Sequence, residues 1–389
     1  MENRKVYLDN SATTKVDPQV FETMKPYFCE VYGNPNSLHE WGREARVAVD
    51  KAREQVAGLI NAEPKDIIFT GGGSEGDNLA IKGTAWAMRE KGKHIITSAI
   101  EHHALLNTVK WLGRFGYDFT ILPVDKHGFV DPAELEKAIR PDTILASIMF
   151  ANNEIGTIEP VAELGAVCRK HGVLFHTDGV QATGHINIDV KNLPIDMMSM
   201  AAHKMYGPKG VGGLYVRRGI RLTPVIHGGQ QEFGLRAGTE NTPGLVGFGK
   251  AAEMAADRLA HGEIEKESRL RDKLIDGLVG RIPEIIVTGD RVKRLPYHAS
   301  VCVKYIEGEG MLLLMDAAGI AVSSGSACTS GSLDPSHVLL ALGLTHETAH
   351  GSVRLTLSHE TTEEDIDYVL EKFPPIVARL REMSPYYHK

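Results

Sequence analysis

Cysteine is scarce in this chain, with four residues among 389. The four are so widely spaced that they form neither a CxxC zinc motif nor a disulfide framework. Such usage is typical of a reducing compartment, and we expect a cytoplasmic protein with no metal site of its own. Cys29, Cys168 and Cys302 are expected to pack as small apolar side chains.

Long apolar runs and an excess of positive charge are lacking as well. No run approaches the roughly 20 apolar residues that a membrane-spanning helix needs. The charged beginning MENRKVYLDN reaches a strand-like segment at once, so neither a signal peptide nor a transit peptide is expected. The net charge of −7 disfavours nucleic acid as the main ligand. We therefore predict a protein that binds neither membranes nor nucleic acid.

The middle of the chain alternates between apolar runs and segments with helical spacing, which predicts an α/β fold with a mostly parallel sheet. After about residue 260 a long helix and short strands predict a smaller α+β domain. We expect a large domain at 16–260 and a small one that joins 1–15 to 261–389. The strand-like runs cover residues 66–70, 94–100, 118–124, 143–150, 173–178, 195–201 and 211–218.

A glycine-rich turn follows the first of these runs, in Gly71-Gly72-Gly73-Ser74-Glu75-Gly76-Asp77-Asn78. Free backbone N–H groups and the dipole of the following helix make such a turn a phosphate cradle, with a capping box expected from Ser74 to Asp77. The same letters satisfy G-x-G-x-x-G, with Glu101 ending the next strand, so a nicotinamide dinucleotide site is an alternative. A glycine turn without any ligand is a third interpretation.

Two further strand ends carry residues that suit a second kind of cofactor. Asp178 ends the run 173–178, and a buried carboxylate there needs a cationic partner. Lys204 follows the run 195–201 in a glycine-rich turn, a good position for Schiff-base chemistry. A phosphate cradle, a partner for the pyridinium nitrogen and a Schiff-base lysine are what pyridoxal phosphate (PLP) requires. His102 and Asn153, after two more strands, would then contact the cofactor ring or the substrate.

Cys328 stands in the segment Ser323–Ser332, SSGSACTSGS, among small polar residues. Such residues cannot bury apolar area and favour turns and mobile coil, so the thiol is expected to be reachable. A free thiol is only a few per cent thiolate at neutral pH and needs a nearby base or cation to react. The segment by itself therefore predicts a nucleophile and a plain linker equally well.

Taken together, these motifs resemble the cysteine desulfurases of the NifS/IscS type, in the class-V aminotransferase group of fold-type I PLP enzymes. The resemblance spans essentially the whole chain, and the lysine turn and the SSGSAC segment are its most specific parts. It implies a homodimer that takes sulfur from L-cysteine, releases L-alanine and leaves a persulfide on Cys328 for an iron–sulfur scaffold protein. The matching motifs are YLDNSATT, GNPNSLH, FTGGGSEGDN, EHHALLNT, ANNEIGT, HTDGVQATG, AAHKMYGPKGVG, RAGTEN, SSGSACTSGSLDPSHVL and SVRLTLS.

The resemblance also implies how the cofactor is held. Lys204 matches the Schiff-base lysine and Asp178 the partner of the pyridinium nitrogen. His102 matches the residue that stacks on the ring and acts as acid and base, and Gln181 would bond the phenolic oxygen. The phosphate would be held by Gly73, Ser74 and His203, with Thr239 reaching in from the other subunit.

For the substrate, the resemblance implies that Arg354 clamps the carboxylate with a two-pronged hydrogen bond, assisted by Asn34 and Asn153. An edge-strand surface cation is the alternative for Arg354, but its apolar neighbours favour burial. Ala201 departs from many relatives, which have serine there, so one hydrogen bond to the phosphate is expected to be missing.

Other functions share parts of this pattern. Another class-V aminotransferase or lyase would need everything except Cys328. A nicotinamide-dependent dehydrogenase would use Gly71–Gly76 without Lys204 or Asp178, and a sulfur or metal carrier would use Cys328 alone. The sulfur acceptor is either a nitrogenase-type or a housekeeping scaffold, and the sequence leaves both open.

Overall fold

The computed structural model describes residues 4–324, 335–385 and 387. Cys328 therefore lies outside the described residues. Within them the strands are β1 (Val6–Tyr7), β2 (Ile67–Thr70), β3 (His94–Ser98), β4 (Asp118–Leu122), β5 (Thr143–Ser147), β6 (Leu174–Asp178), β7 (Met197–Ala201), β8 (Gly212–Val216), β9 (Ile285–Val287), β10 (His298–Val303), β11 (Ile320–Ala321) and β12 (Ser352–Thr356).

In the same ranges the chain forms helices of very different length. They are α1 (Pro18–Met24), α2 (Pro26–Cys29), α3 (Glu40–Leu59), α4 (Gly73–Ala87), α5 (His103–Leu112), α6 (Pro132–Ala138), α7 (Val161–His171), α8 (Thr242–Ala260), α9 (Glu263–Arg281), α10 (Gly308–Ala317), α11 (His337–Ala341), α12 (His346–His350) and α13 (Glu363–Met383). No helix in the described part of the chain has the length and apolar character that crossing a bilayer requires.

The central sheet confirms the predicted fold class. Its strand order is β2-β8-β7-β6-β5-β3-β4, and each strand comes from one of the predicted apolar runs. Strand β8 is antiparallel to both of its neighbours, and every other adjacent pair in this sheet is parallel. The carboxyl ends of β3, β5, β6 and β7 therefore meet at one edge, where ligands bind in sheets of this kind.

Helices cover this sheet on both faces. Successive residues of each strand are therefore buried on alternate sides, which explains why the strand sequences are continuously apolar. Ile68 packs with α4 and α5 on one side, whereas its neighbour Phe69 packs with α3 and α8 on the other. Ile95 and Ile96 of β3 divide between the two cores in the same way. Burying a large apolar side chain of this kind contributes about 1.5–3 kcal/mol relative to leaving it exposed.

The remaining strands form two smaller sheets. β12, β10 and β9 make an antiparallel sheet, and β1 pairs in parallel with β11. The predicted division into domains at residues 16 and 260 stays a prediction.

Two local expectations were wrong. The capping box from Ser74 to Asp77 does not form, because α4 already begins at Gly73, and Gly72 makes the turn from strand to helix with a φ of 150°. That φ lies in the region that glycine adopts most readily. Cys29 is exposed, since it ends the short helix α2, which has no buried residue. Cys168 and Cys302 are buried as expected.

Candidate active site

The carboxyl ends of the central strands enclose a cavity of about 310 Å³. Most of the predicted site residues line it, although they come from distant parts of the chain. Most of them follow or end strands of the central sheet, whose carboxyl ends meet at one edge, whereas Arg354 comes from β12 of the antiparallel sheet. The lining residues are Ser11, Ala12, Gly73, Ser74, Asp77, His102, Met149, Asn153, Asp178, Val180, Gln181, Ala201, His203, Lys204 and Arg354.

Lys204 reaches the cavity from the end of β7, as the last residue of a short 3₁₀ turn, Ala202–Lys204. Its Nζ donates hydrogen bonds to the backbone carbonyls of Ser11 and Ala12, the latter at 2.8 Å. Its own carbonyl is 2.9 Å from Nε2 of His185. The N-terminal segment therefore orients the amine toward the cavity.

Asp178 is the last residue of β6, and it is buried. Its carboxylate accepts a hydrogen bond of 2.9 Å from the backbone N–H of Val180. Burial raises the pKa of Asp178, while this hydrogen bond and the charges of His102 and Lys204 lower it. A cationic ligand that binds against this carboxylate relieves the cost of its burial.

Asp77 is a second buried carboxyl in the same cavity, and the sequence analysis missed it as a site residue. It is 1% exposed, and its Oδ1 has no hydrogen-bond partner among the described residues. Burial raises its pKa well above the usual value, and the nearby Asp178 raises it further. Burial and the neighbouring Asp178 therefore both favour the neutral form of Asp77, whereas Asp178 has a backbone hydrogen bond and two cationic neighbours that favour its charged form. Asp77 was not predicted to line the cavity because its motif had been assigned to a capping box.

Glu101 is fully buried behind the cavity, and burial raises its pKa to about 8. Its Oε1 accepts hydrogen bonds from Ser98 Oγ at 2.5 Å and from the Met149 N–H at 2.9 Å. In a nicotinamide site this residue would bind ribose hydroxyls as an exposed carboxylate. Because Glu101 is buried, the structure argues against a dinucleotide site at Gly71–Gly76.

The glycine turn leaves room for an anion at the N-terminus of α4. A Cβ on Gly73 would lie 2.5 Å from the side chain of Val180, so any other residue here would force the wall of the cavity to shift. Ser74 is exposed in the first turn of the helix. Nδ1 of His203 lies 3.1 Å from Thr13 Oγ1, which fixes the imidazole beside the turn. These groups and the helix dipole are suited to a phosphate.

His102 begins α5 as its N-cap, and its Nδ1 accepts a hydrogen bond of 3.1 Å from the Ala104 N–H. Burial lowers the pKa of His102, and the charge of Lys204 acts in the same direction against that of Asp178. The neutral ring accepts at Nδ1, so its proton is on Nε2.

Gln181 is held from two sides. Its Oε1 accepts from Tyr297 Oη at 2.6 Å, and its Nε2 donates to the Ser11 carbonyl at 3.1 Å. Ala201, the departure from the family pattern, lines the cavity near Gly73, so the missing hydroxyl falls inside the cavity.

Arg354 lies in β12 with only 2% of its side chain exposed, which rules out a surface cation. One terminal nitrogen donates to Asp9 Oδ1 at 2.9 Å and the other to the Asn153 carbonyl at 3.1 Å. Its Nε has no hydrogen-bond partner among the described residues. A guanidinium with an unsatisfied donor at the wall of a cavity is suited to an anionic group.

Asn34 and Thr239 do not line the cavity. Both are exposed, and their neighbours are joined by a hydrogen bond of 2.7 Å from Asn36 Nδ2 to Glu240 Oε2. The predicted nucleophile Cys328 lies outside the described residues. Ser323, five positions before it, pairs with Arg354 through two backbone hydrogen bonds of 2.7 and 3.2 Å. Ser323, which precedes the Cys328 segment in the chain, therefore lies directly beside Arg354.

Comparisons with known proteins place this site in a family. Residues 6–369 match the family model of the class-V aminotransferases. The chain is 54% identical over 385 residues to a cysteine desulfurase IscS of Clostridium botulinum, which covers 98% of this chain and 97% of that protein. A solved NifS-like protein is 40% identical, with a TM-score of 0.91 over 97% of this chain and 100% of the other. SspA, solved in complex with cysteine, is 37% identical, with a TM-score of 0.80 over 92% and 100%.

The chain therefore belongs to the class-V aminotransferase family. Within that family it groups with the cysteine desulfurases, which confirms the resemblance drawn from its motifs.

Proposed function

We propose that the chain is a PLP-dependent cysteine desulfurase, which takes sulfur from L-cysteine, releases L-alanine and leaves a persulfide on Cys328. The observation that carries this proposal is the position of Asp178, Lys204 and Arg354 around one cavity. These three side chains supply a carboxylate for a pyridinium, an amine for a Schiff base and a cation for a substrate carboxylate.

The residues present fit PLP. The open wall at Gly73, the exposed Ser74 and the fixed His203 form a phosphate cradle, and the buried Asp178 needs a cation. Gln181 presents a tethered amide to the cofactor ring. PLP, when bound, supplies the electron sink that makes loss of the substrate α-proton favourable.

Arg354 binds the carboxylate of the substrate. Its Nε and the two terminal nitrogens form a fork that matches a carboxylate, and Asp9 and Asn153 hold that fork in place. SspA, a relative, was solved in complex with cysteine, which supports the same substrate for this chain.

Proton transfer is divided between two side chains. Lys204, oriented by the carbonyls of Ser11 and Ala12, would hold PLP and would move the α-proton of the substrate. Cys328 attacks the substrate sulfur as a thiolate, the Cβ–S bond breaks, and the sulfur stays on Cys328 as a persulfide while the electron pair of the broken bond remains with the carbon fragment. His102 carries its proton on Nε2, so it can donate that proton to the carbon fragment, which becomes alanine.

We also propose a homodimer, in which Thr239 of one subunit reaches the cofactor phosphate of the other. A groove lined by Thr13, Ser74 and Lys209 opens beside the phosphate cradle and offers an entry for such a side chain. Thr239 itself is exposed and lines neither this groove nor the cavity of its own chain. Asn34 lies near Thr239, because Asn36 donates a hydrogen bond to Glu240. Asn34 would therefore enter the partner's site in the same way.

The persulfide is passed to an iron–sulfur scaffold protein in the cytoplasm. The IscS name of the relative from Clostridium botulinum supports this acceptor class. A second candidate, another class-V aminotransferase or lyase reaction, shares the cavity residues and differs only in having no need for Cys328.

The deciding experiment is an absorbance spectrum of the purified protein with PLP, followed by L-cysteine and a reductant while sulfide and alanine are assayed. Yellow protein that forms sulfide and alanine in equal amounts supports the desulfurase. Yellow protein without sulfide favours another class-V reaction. A protein that stays colourless with added PLP contradicts both, and a Lys204→Ala variant is the colourless control.

A further inference from the structure

Helix α3 carries two arginines that bind glutamates of one segment, residues 226–241, which leads into α8. Arg46 and Arg53 are about two helical turns apart, so their side chains leave the same face of the helix. Arg46 donates to Glu240 Oε1 at 2.8 Å, and Arg53 donates to Glu232 Oε1 at 2.7 Å. The two glutamates flank Thr239 in the chain.

The Arg53–Glu232 pair is buried, with 7% and 3% of the two side chains exposed. It is bidentate, with both N–O distances at 2.7 Å, and Glu232 also accepts from the Phe69 N–H at 2.8 Å. Arg53 donates in addition to the Ile67 carbonyl at 2.7 Å, and its guanidinium lies 4.5 Å from the centre of the Phe69 ring. A buried ion pair with this many hydrogen bonds has one well-defined geometry.

The backbone at this pair is strained. Glu232 and Phe233 have φ values of 48° and 59°, and Gly234 follows at 79°. Non-glycine residues take this left-handed conformation only where surrounding contacts hold them there. Here the contacts are the salt bridge of Glu232 and the ring of Phe233, 5.3 Å from the Arg53 guanidinium. The arginine therefore sets the direction in which the chain leaves toward Thr239.

A further ion pair connects the segment to the phosphate cradle of its own chain. Arg236 Nε donates to Glu75 Oε1 at 2.9 Å, and Glu75 Oε2 accepts from the Gly71 N–H at 2.9 Å. The segment is thus held at Glu232, Arg236 and Glu240, while Thr239 between them points to no cavity of its own chain and is exposed.

We propose that Arg46 and Arg53 are positioning residues, which hold the 226–241 segment in the shape in which Thr239 reaches the cofactor phosphate of a second subunit. The inference rests on the proposed function, since it needs PLP and a homodimer. It adds that the α3 arginines of one subunit determine how tightly the other subunit binds PLP.

The test uses heterodimers with one intact cofactor site, made by co-expressing two differently tagged subunits. One subunit carries Lys204→Ala and the other keeps Lys204, so the absorbance of PLP joined to lysine reports a single site. Glu232→Gln is placed in either subunit, and PLP is titrated into the cofactor-free protein. Placed in the Lys204→Ala subunit, it is expected to weaken PLP binding at the intact site about tenfold. Placed in the subunit that keeps Lys204, it is expected to weaken that binding less, because there Glu232 reaches the cradle only through Phe69 and the Arg236–Glu75 pair.

The opposite pattern overturns the inference, because it shows a structural effect that stays in the substituted chain. Equal weakening from both placements overturns it as well, because the effect is then not directed at the other subunit. Glu240→Gln breaks the more exposed Arg46 pair and is the second variant if Glu232→Gln does not fold; we expect about threefold weakening in trans. Thr239→Ala added to Glu232→Gln in one subunit should cause no further loss, and additive losses contradict the inference. Glu63→Gln, which breaks an exposed pair with Lys191, is the matched control without effect.

The unmodified protein separates the possible failures. If it forms no lysine-bound PLP absorbance, the proposed function is wrong and this inference is overturned with it. If it binds PLP but sediments as a monomer, only the exchange of Thr239 between subunits is overturned.

Discussion

In the cavity at the strand ends, polar side chains occupy the last residues of regular strands, whereas the 226–241 segment has almost no regular structure. Asp178 and Lys204 owe their positions to parallel strands buried on both faces. The segment owes its shape to ion pairs with α3 and α4 and to a left-handed turn at Glu232 and Phe233. The strand-end residues surround a cavity within a single chain. In the 226–241 segment, by contrast, the predicted site residue Thr239 is exposed on the surface. Substitutions in the first should therefore act on the chemistry, and substitutions in the second on cofactor binding in the partner.

The largest effect is expected from Cys328→Ser. Serine cannot hold a persulfide, so sulfide release from L-cysteine should fall to background while PLP absorbance and PLP affinity stay unchanged. A sulfide assay and a PLP titration measure the two properties separately. Retained sulfide release in this variant contradicts the role of Cys328, and Cys29→Ser, at an exposed cysteine of the described residues, is the control.

Asp178→Asn should come next. The amide keeps the shape of the side chain and its oxygen can still accept from Val180, but the negative charge beside the pyridinium is lost. We expect kcat to fall by about a hundred- to thousandfold. Asp77→Asn is the matched variant, because burial favours the neutral form of Asp77, and kcat should change by less than about tenfold. Equal losses in both variants would show that the two carboxyls share the charge.

Arg354→Lys is expected to affect substrate binding more than the chemical steps. Lysine keeps the charge but cannot form the fork, so KM for L-cysteine should rise by about ten- to a hundredfold with a smaller change in kcat. Steady-state kinetics measure the two constants. Arg217→Lys, at an exposed arginine that pairs with the buried Asp196, should change neither. An unchanged KM in Arg354→Lys places the substrate carboxylate elsewhere.

Glu101→Gln should have the smallest effect, and it should depend on pH. The folded protein holds a proton on Glu101 up to about pH 8, whereas the unfolded chain releases it near 4.5. Stability from this group is therefore present at low pH and lost as the pH rises through that window. Glutamine carries no charge, so the variant should melt about 2–4 °C higher at pH 8 and unchanged at pH 5. A melting curve at each pH tests this, and an equal shift at both values is the contrary result.

Much of the cavity could be predicted because its residues follow apolar runs. Each run became a strand of the central sheet, and parallel strands bring their carboxyl ends to one edge. Asp77 was missed because its sequence neighbours are typical of a helix cap, and only the observed start of α4 at Gly73 shows that it turns inward. Glu101 was assigned to a nicotinamide dinucleotide site because the sequence around a single acidic residue does not show whether that residue is buried.

The sequence by itself determined the class of fold, the family and most of the residues around the cavity, because apolar periodicity and strand-end motifs are local features. The tertiary structure decided that burial disfavours the charged form of Asp77, that Arg354 is buried, and that Arg46 and Arg53 form ion pairs with the segment around Thr239. These properties depend on burial and on pairs of residues far apart in the chain. Both arise only when the helices and strands have packed together.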